Sequence, residues 1–149
     1  MTAKVIIRAD GGSEIGYGHL IRSSALAEKI LRRGHTVTVA TTTPQPVQDV
    51  FSANVDLVRL SSRGDPAPFV EWLKEADPNA VFTDAYPVTT EYQRTIRNHA
   101  TLTVLQDDAR HTICADLFVN GNLYGSDIEY EFVGDKPKLC LGTDYALLR

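Results

Sequence analysis

The feature that most constrains the fold is a regular alternation between short β-branched runs and longer segments with helical periodicity. The first apolar run covers residues 4–9, and a glycine-rich loop over residues 10–18 separates it from a segment with helical spacing of apolar residues. Apolar runs this short are typical of strands buried on both faces. Strands that alternate with helices predict a parallel sheet with helices on both faces and right-handed connections.

Periodicity and turn residues give bounds for each element. The first helix is expected over residues 19–33, closed by Gly34 just past its end. Further strands are expected at 36–42, 56–60, 79–83, 101–106, 116–120 and 138–142. Further helices are expected from Pro44 to about Ser52, over 66–76 and over 89–99. The predicted fold is therefore an α/β, Rossmann-like arrangement in one domain spanning residues 1–149.

Composition excludes several classes of protein. The chain of 149 residues has 19 acidic and 15 basic side chains, a formal charge of −4, which argues against a nucleic-acid-binding module. No apolar run approaches the roughly 18 residues of a membrane span, and the N-terminus lacks the apolar core of a signal peptide. Cys114 and Cys140 lie in apolar stretches, so we interpret them as buried thiols in a reducing cytoplasm.

The loop after the first strand carries four glycines in eight positions, residues 11–18. A glycine-rich loop that leads into a helix favours a phosphate or another anion, although a merely permissive loop is the alternative. Ile21 stands where the dinucleotide fingerprint requires its third glycine, and Tyr17-Gly18 replaces the Lys-Ser/Thr pair of a P-loop. We therefore expect neither a nicotinamide site nor a nucleoside triphosphatase.

Two side chains of the first helix are candidates for chemistry. His19 lies in the first turn on the apolar side, so its imidazole is expected to point inward over the strand ends. The positive end of the helix dipole favours the neutral ring, which can take or give a proton near pH 7. A histidine bonded to a backbone carbonyl is the alternative. Arg22, one turn later, is expected either to contact a phosphate or carboxylate or to be solvated.

Polar side chains stand at the ends of successive predicted strands, where ligands of parallel sheets bind. They are Asp10, Asp84, Tyr86, Gln106, Asp107, Asp108, Asn120 and Asn122. Adjacent Asp107 and Asp108 cannot face the same way, so one is expected to face the site and the other to cap a turn or pair with Arg110. A metal site can also be written from Asp84, Asp107, Asp108 and His111. Its spacing is not specific, and we expect neither a metal nor a cofactor.

Several of these positions together resemble one family of sugar-processing proteins. The matching motifs are Arg8-x-Asp10, Gly16-x-Gly18-His19-x-x-Arg22, Leu26-Ala27, Asp84-x-Tyr86, Asp107-Asp108, Cys114-x-Asp116, Asn120-x-Asn122 and Leu141-Gly142-x-x-Tyr145-Ala146-Leu147-Leu148-Arg149. The family comprises the UDP-sugar hydrolase of pseudaminic acid biosynthesis and related spore-coat polysaccharide biosynthesis proteins. The resemblance spans the whole chain and departs at Ser23, where a cysteine is common in the family.

The resemblance implies the N-terminal half of a two-domain, MurG-like glycosyltransferase-B architecture. It implies hydrolysis of UDP-2,4-diacetamido-2,4,6-trideoxy-β-L-altrose by water, giving free sugar and UDP, without a metal. It places the family's essential histidine at His19 and its active-site tyrosine at Tyr86. In this architecture a second domain mainly holds the uridine and diphosphate. We therefore expect residues 1–149 to need a missing C-terminal domain or a partner chain, and to be nearly inactive alone.

Under this hypothesis His19 is the general acid or base, and Tyr86 and Asp10 hydrogen-bond the sugar or the attacking water. The other candidate substrate-binding residues are Gly16, Gly18, Arg22, Asp84, Asp107, Asn120 and Asn122. Two alternatives remain open. The chain is either the acceptor-binding domain of a MurG-like glycosyltransferase, in which His19 deprotonates an acceptor hydroxyl, or a non-catalytic module that works with a partner chain.

Overall fold

The structure, a computed structural model, describes residues 1–147 and is built on one sheet of seven parallel strands. The strands are β1 (Lys4–Ala9), β2 (Thr36–Thr41), β3 (Asp56–Arg59), β4 (Ala80–Asp84), β5 (Thr101–Leu105), β6 (Leu117–Asn120) and β7 (Lys138–Leu141). The helices are α1 (Gly18–Arg32), α2 (Pro44–Val50), α3 (Ala67–Ala76) and α4 (Thr90–Arg97). Short 3₁₀ turns cover Gly125–Asp127 and Thr143–Tyr145.

The predicted α/β, Rossmann-like fold is confirmed, and no helix or strand bound differs from the expected one by more than two residues. The two 3₁₀ turns have no periodic signal in the sequence. Leu148 and Arg149, which end the closing motif of the family resemblance, lie outside the described residues. No helix among residues 1–147 is long and apolar enough to cross a membrane.

The sheet separates two apolar clusters because successive side chains of a strand point to opposite faces. Ile6 of β1 joins a cluster that includes residues of α3 and α4, whereas Ile7 joins one that includes residues of α1 and α2. Both isoleucines are fully buried, and each such burial contributes about 1.5–3 kcal/mol. Helices as short as α2 and α4 are marginal alone, so this packing supplies their stability. Helices therefore cover both faces, as predicted.

Helix α1 is held at both of its ends. At its C-terminus Gly34 adopts φ +87°, and the amides of Gly34 and His35 donate to the carbonyls of Leu31 and Ile30 at 3.0 and 3.3 Å. This is a Schellman motif, as expected of Gly34. At the other end Gly11 packs so closely on Leu20 that a Cβ there would lie 2.5 Å from the leucine side chain. The direction of α1, and with it the place of its first turn, is therefore defined.

The strand order determines where a ligand site can form. The order β3-β2-β1-β4-β5-β6-β7 reverses direction between β1 and β4, as in doubly wound sheets. In such sheets ligands bind outside the carboxyl ends of the strands, at the reversal. Asp10 follows β1 and Asp84 ends β4, so both stand at this point, and α1 begins beside them.

Candidate functional site

The centre of the candidate site is a hydrogen bond between His19 in the first turn of α1 and Asp84 at the end of β4. Nδ1 of His19 lies 2.5 Å from Oδ1 of Asp84, and both side chains are buried. A carboxylate only accepts hydrogen bonds, so Nδ1 carries the proton and Nε2 is left as an acceptor. Carboxylate–histidine pairs with this tautomer serve as general bases in enzymes.

The guanidinium of Arg22 bridges two carboxylates behind this pair. It donates to Asp84 at 2.6 and 2.6 Å, and to Asp107 at 2.7 and 3.1 Å. Burial alone would lower the pKa of Arg22, but its hydrogen bonds to Asp84 and then Asp107 outweigh that effect and raise the pKa. These contacts use four of the five guanidinium N–H groups. Arg22 therefore contacts carboxylates, which is one of the two outcomes expected from the sequence. These carboxylates belong to the protein and not to a ligand.

The adjacent aspartates after β5 diverge. Asp107 faces the site, where it also accepts a hydrogen bond from Nδ2 of Asn122 at 2.9 Å. Burial would raise the pKa of Asp107, but hydrogen bonds from Arg22 and Asn122 hold it below its ordinary value. Asp108 instead pairs with Arg110, with an Nη2–Oδ2 distance of 2.8 Å. Asp107 is therefore the site-facing member, and Asp108 is the one paired with Arg110.

Asn120 and Asn122 differ in their hydrogen-bond partners. Asn120 is fully buried at the end of β6. Its Oδ1 accepts from the backbone and side-chain nitrogens of Asn122, and its Nδ2 donates to the hydroxyl of Tyr130 at 2.9 Å. The structure thus gives Asn120 internal partners on both polar groups. Asn122 reaches the site through Asp107.

Tyr86 forms one wall of the site beside His19. The two rings meet edge to face with centroids 4.6 Å apart. The guanidinium of Arg110 lies 3.7 Å from the centroid of the tyrosine ring, and Nε2 of His111 donates to the Tyr86 carbonyl at 2.7 Å. The hydroxyl of Tyr86 has no hydrogen-bond partner among residues 1–147. These contacts hold the ring while leaving its hydroxyl open to a ligand.

Asp10 presents one satisfied and one unsatisfied carboxylate oxygen. Oδ1 accepts from Arg8 at 2.7 Å, and from Thr41 and Thr42. Oδ2 is buried and has no hydrogen-bond partner among the described residues. Burial would raise the pKa of Asp10, but the hydrogen bond and charge of Arg8 lower it, so the group is an anion near neutral pH. An orphaned buried acceptor is an uncommon feature of native structures and calls for a ligand or water.

A cavity of about 70 Å³ connects these groups. Its lining includes Asp10, His19 and Tyr86, the three residues that the sequence places in catalytic roles. The cavity is large enough for a water molecule or a small polar group. The structure therefore brings the carboxylate, the imidazole and the phenol to one opening at the strand reversal.

The glycine-rich loop supplies fewer free amides than its composition indicates. The amide of Gly16 donates to the carbonyl of Gly12 at 2.6 Å, and the amide of Gly12 donates back at 3.0 Å. Gly18 begins α1, and the amides in the first turn of a helix lack partners within the helix. Anion contacts from this loop are therefore available from Gly18 and His19 rather than from Gly16.

Some site residues were missed by sequence reasoning. Ser23 donates to Oδ2 of Asp84 at 3.3 Å, and Thr41 and Thr42 hold Asp10. The sequence offered a signal for each of them. Ser23 directly follows Arg22 in the motif, and the two threonines stand at the end of a predicted strand. In contrast, within residues 1–147 no three His, Cys, Asp or Glu side chains are grouped to hold a metal ion.

Similarity to known proteins is found in both sequence and fold. No family model matches the chain. Over 154 aligned residues the chain is 25% identical to the UDP-2,4-diacetamido-2,4,6-trideoxy-β-L-altropyranose hydrolase of Campylobacter jejuni, covering 98% of this chain and 52% of that protein. The chain resembles a UDP-sugar hydrolase. The resemblance stated from the motifs is thus supported by alignment over nearly the whole sequence.

The fold also matches MurG from Acinetobacter baumannii, with a TM-score of 0.62 and 12% sequence identity. The match covers 92% of this chain and 44% of the MurG chain. At this identity the likeness shows the fold, a Rossmann-like sheet of the MurG, glycosyltransferase-B type. The chain therefore spans about half the length of the hydrolase and of the MurG chain.

Proposed function

We propose that this chain is the N-terminal, catalytic half of an enzyme that hydrolyses a UDP-linked sugar. The observation that carries the proposal is the buried His19–Asp84 pair, whose free Nε2 belongs to a residue that lines a cavity at the strand reversal. The similarity to a named UDP-sugar hydrolase supports the same chemistry. The proposed substrate is a UDP-linked diacetamido-trideoxy sugar, used to make nonulosonic acids such as pseudaminic acid or surface polysaccharide.

In the proposed reaction His19 acts as general base. Nε2 accepts a proton from water while the water oxygen bonds to the anomeric carbon, and the bond from that carbon to the phosphate oxygen breaks. UDP leaves with the electron pair of that bond. The carboxylate of Asp84 stabilises the imidazolium that forms, and Arg22 and Ser23 hold Asp84 in place.

Asp10 and Tyr86 position the reactants in this proposal. The orphaned Oδ2 of Asp10 accepts a hydrogen bond from a sugar hydroxyl or from the attacking water. The free hydroxyl of Tyr86 donates to the sugar from the opposite wall. Both groups flank the imidazole of His19, so the water and the anomeric carbon are held in reach of Nε2.

The proposal includes a second domain or a partner chain that binds most of the UDP. Its support is that the chain spans about half of the hydrolase and of MurG. A cytoplasmic location also belongs to the proposal, because Cys114 and Cys140 are free and buried, which is usual for proteins of reducing compartments.

A glycosyltransferase is the second candidate, and the MurG-like fold is the observation that favours it. In that case His19 deprotonates the hydroxyl of an acceptor instead of water. The test is to incubate the two-domain protein with the UDP-sugar alone and to follow UDP release. Steady turnover without any acceptor supports the hydrolase. Turnover that starts only when an acceptor alcohol is added would contradict it and identify a transferase.

A further inference from the structure

A second groove, with a volume of about 340 Å³, lies beside the His19 cavity and takes no part in the chemistry above. One wall is the tip of the glycine-rich loop, and another is the start of α2 with the residue before it. Two arginines, Arg59 at the end of β3 and Arg63 in the following loop, complete the lining. The groove therefore lies between two loop walls and carries two arginines in its lining.

The charges in this groove are unbalanced. Arg59 is exposed and has no ion-pair partner among residues 1–147. The nearest carboxylate oxygen to Arg63 is Oδ2 of Asp10 at 4.0 Å, but Arg8 already neutralises Asp10 at 2.7 Å. Glu14 is the one acidic residue in the described lining. The lining thus contains two arginines and one acidic residue, in a chain whose formal charge is −4.

Arg63 links the groove to the His19 cavity. It lines both spaces, as does Ile15 of the glycine-rich loop. The backbone carbonyl of Arg63 accepts a hydrogen bond from Nη2 of Arg8 at 3.2 Å. The buried arginine that holds Asp10 therefore also anchors the loop that carries Arg63. An anion bound in the groove would therefore lie next to the cavity that His19 lines.

We propose that this groove binds the diphosphate of the nucleotide sugar, with Arg59 and Arg63 as its guanidinium contacts. The planar guanidinium fork suits phosphate oxygens, which it can bind through two parallel hydrogen bonds. The identity of the ligand rests on the proposed function, whereas the affinity of the groove for a phosphate-type oxyanion does not. These contacts add to those of the second domain or partner chain included in the proposed function.

The test is to titrate the 149-residue chain with pyrophosphate. Binding is monitored through the amide NMR signals of residues 11–15. Arg59→Gln and Arg63→Gln are each expected to weaken pyrophosphate binding by about tenfold. Arg33→Gln is the matched control, because it removes one exposed positive charge from the far end of α1. That variant is expected to bind pyrophosphate like the wild type.

Three results would overturn this assignment. They are unchanged affinity in both groove variants, an equal loss in Arg33→Gln, and acetate binding as tightly as pyrophosphate, which would make the groove a carboxylate site. A failed groove and a failed hydrolase proposal are therefore distinguishable, since the first is measured by binding and the second by UDP release.

Discussion

At the scale of single residues, the site depends on Arg22 although that side chain is not positioned to perform the chemistry. Its guanidinium joins Asp84 at the end of β4 to Asp107 after β5. The carboxylate of Asp84 in turn holds the imidazole of His19. Arg22 is therefore a positioning residue, which holds the carboxylate that orients the imidazole of His19.

Replacing Arg22 by lysine should separate charge from geometry. A lysine keeps the positive charge but cannot form paired contacts with two carboxylates at once. In the two-domain protein we expect kcat for UDP release to fall about tenfold with a small change in KM, since positioning in the transition state is lost. Arg33→Lys, at the exposed end of α1, is the control. A KM effect without a kcat effect would instead assign Arg22 to substrate binding.

Some side-chain orientations in the site could not be predicted from the sequence. Alternation along a strand predicts that Asp107 and Asp108 diverge, but not which of them faces inward. That choice depends on Arg22, which lies 85 positions earlier in the chain and reaches Asp107 through the packing of α1. The hydrogen bond from Asn120 to the hydroxyl of Tyr130 was not predicted either, because Tyr130 lies in a segment without a periodic signal.

At the scale of elements, the alternation of strand and helical periods is sufficient to predict the order and type of the main elements. The signal is strong because strands buried on both faces are continuous apolar runs, and α1 carries a clear apolar side. The 3₁₀ turns and the pairing of Gly12 with Gly16 were not foreseen, because they depend on a few local backbone hydrogen bonds and not on a periodic pattern.

The contact between the glycine-rich loop and α1 can be tested with Gly11→Ala. The new Cβ would lie 2.5 Å from the fully buried side chain of Leu20, so either the loop or the start of α1 must move. We expect the free energy of unfolding to fall by about 1–3 kcal/mol, measured by urea denaturation. Gly64→Ala, which meets no atom within 4 Å, is the control and should change it little. Equal stability of Gly11→Ala and the wild type would contradict the close packing.

At the scale of the whole molecule, carboxylates whose pKa values are lowered by folding make the free energy of unfolding depend on pH. The folded-state pKa values of Asp10 and Asp107 lie below their ordinary value of 3.8. Their contribution is therefore fully present above the unfolded pKa and is lost as the pH falls through the folded one. We expect urea stability to decline below about pH 4, and Asp107→Asn to show a shallower decline than the wild type. An identical decline in both would contradict the assignment to Asp107.

The molecule as a whole is also expected to be a poor catalyst in the form of residues 1–149. His19, Asp84 and Tyr86 are assembled, but the proposal assigns most of the UDP contacts to a second domain. Assayed alone with the UDP-sugar, the chain should show a kcat/KM far below that of the two-domain protein. Comparable values for the two would contradict the need for a second domain.

The central claim is that the imidazole of His19, oriented by Asp84, transfers the proton in UDP-sugar hydrolysis. The most direct measurement is kcat for UDP release by the two-domain protein carrying His19→Ala, beside His99→Ala, which removes an exposed histidine after α4. We predict a loss of about 10²-fold or more for His19→Ala and wild-type turnover for His99→Ala. Undiminished turnover in the His19 variant would contradict the account.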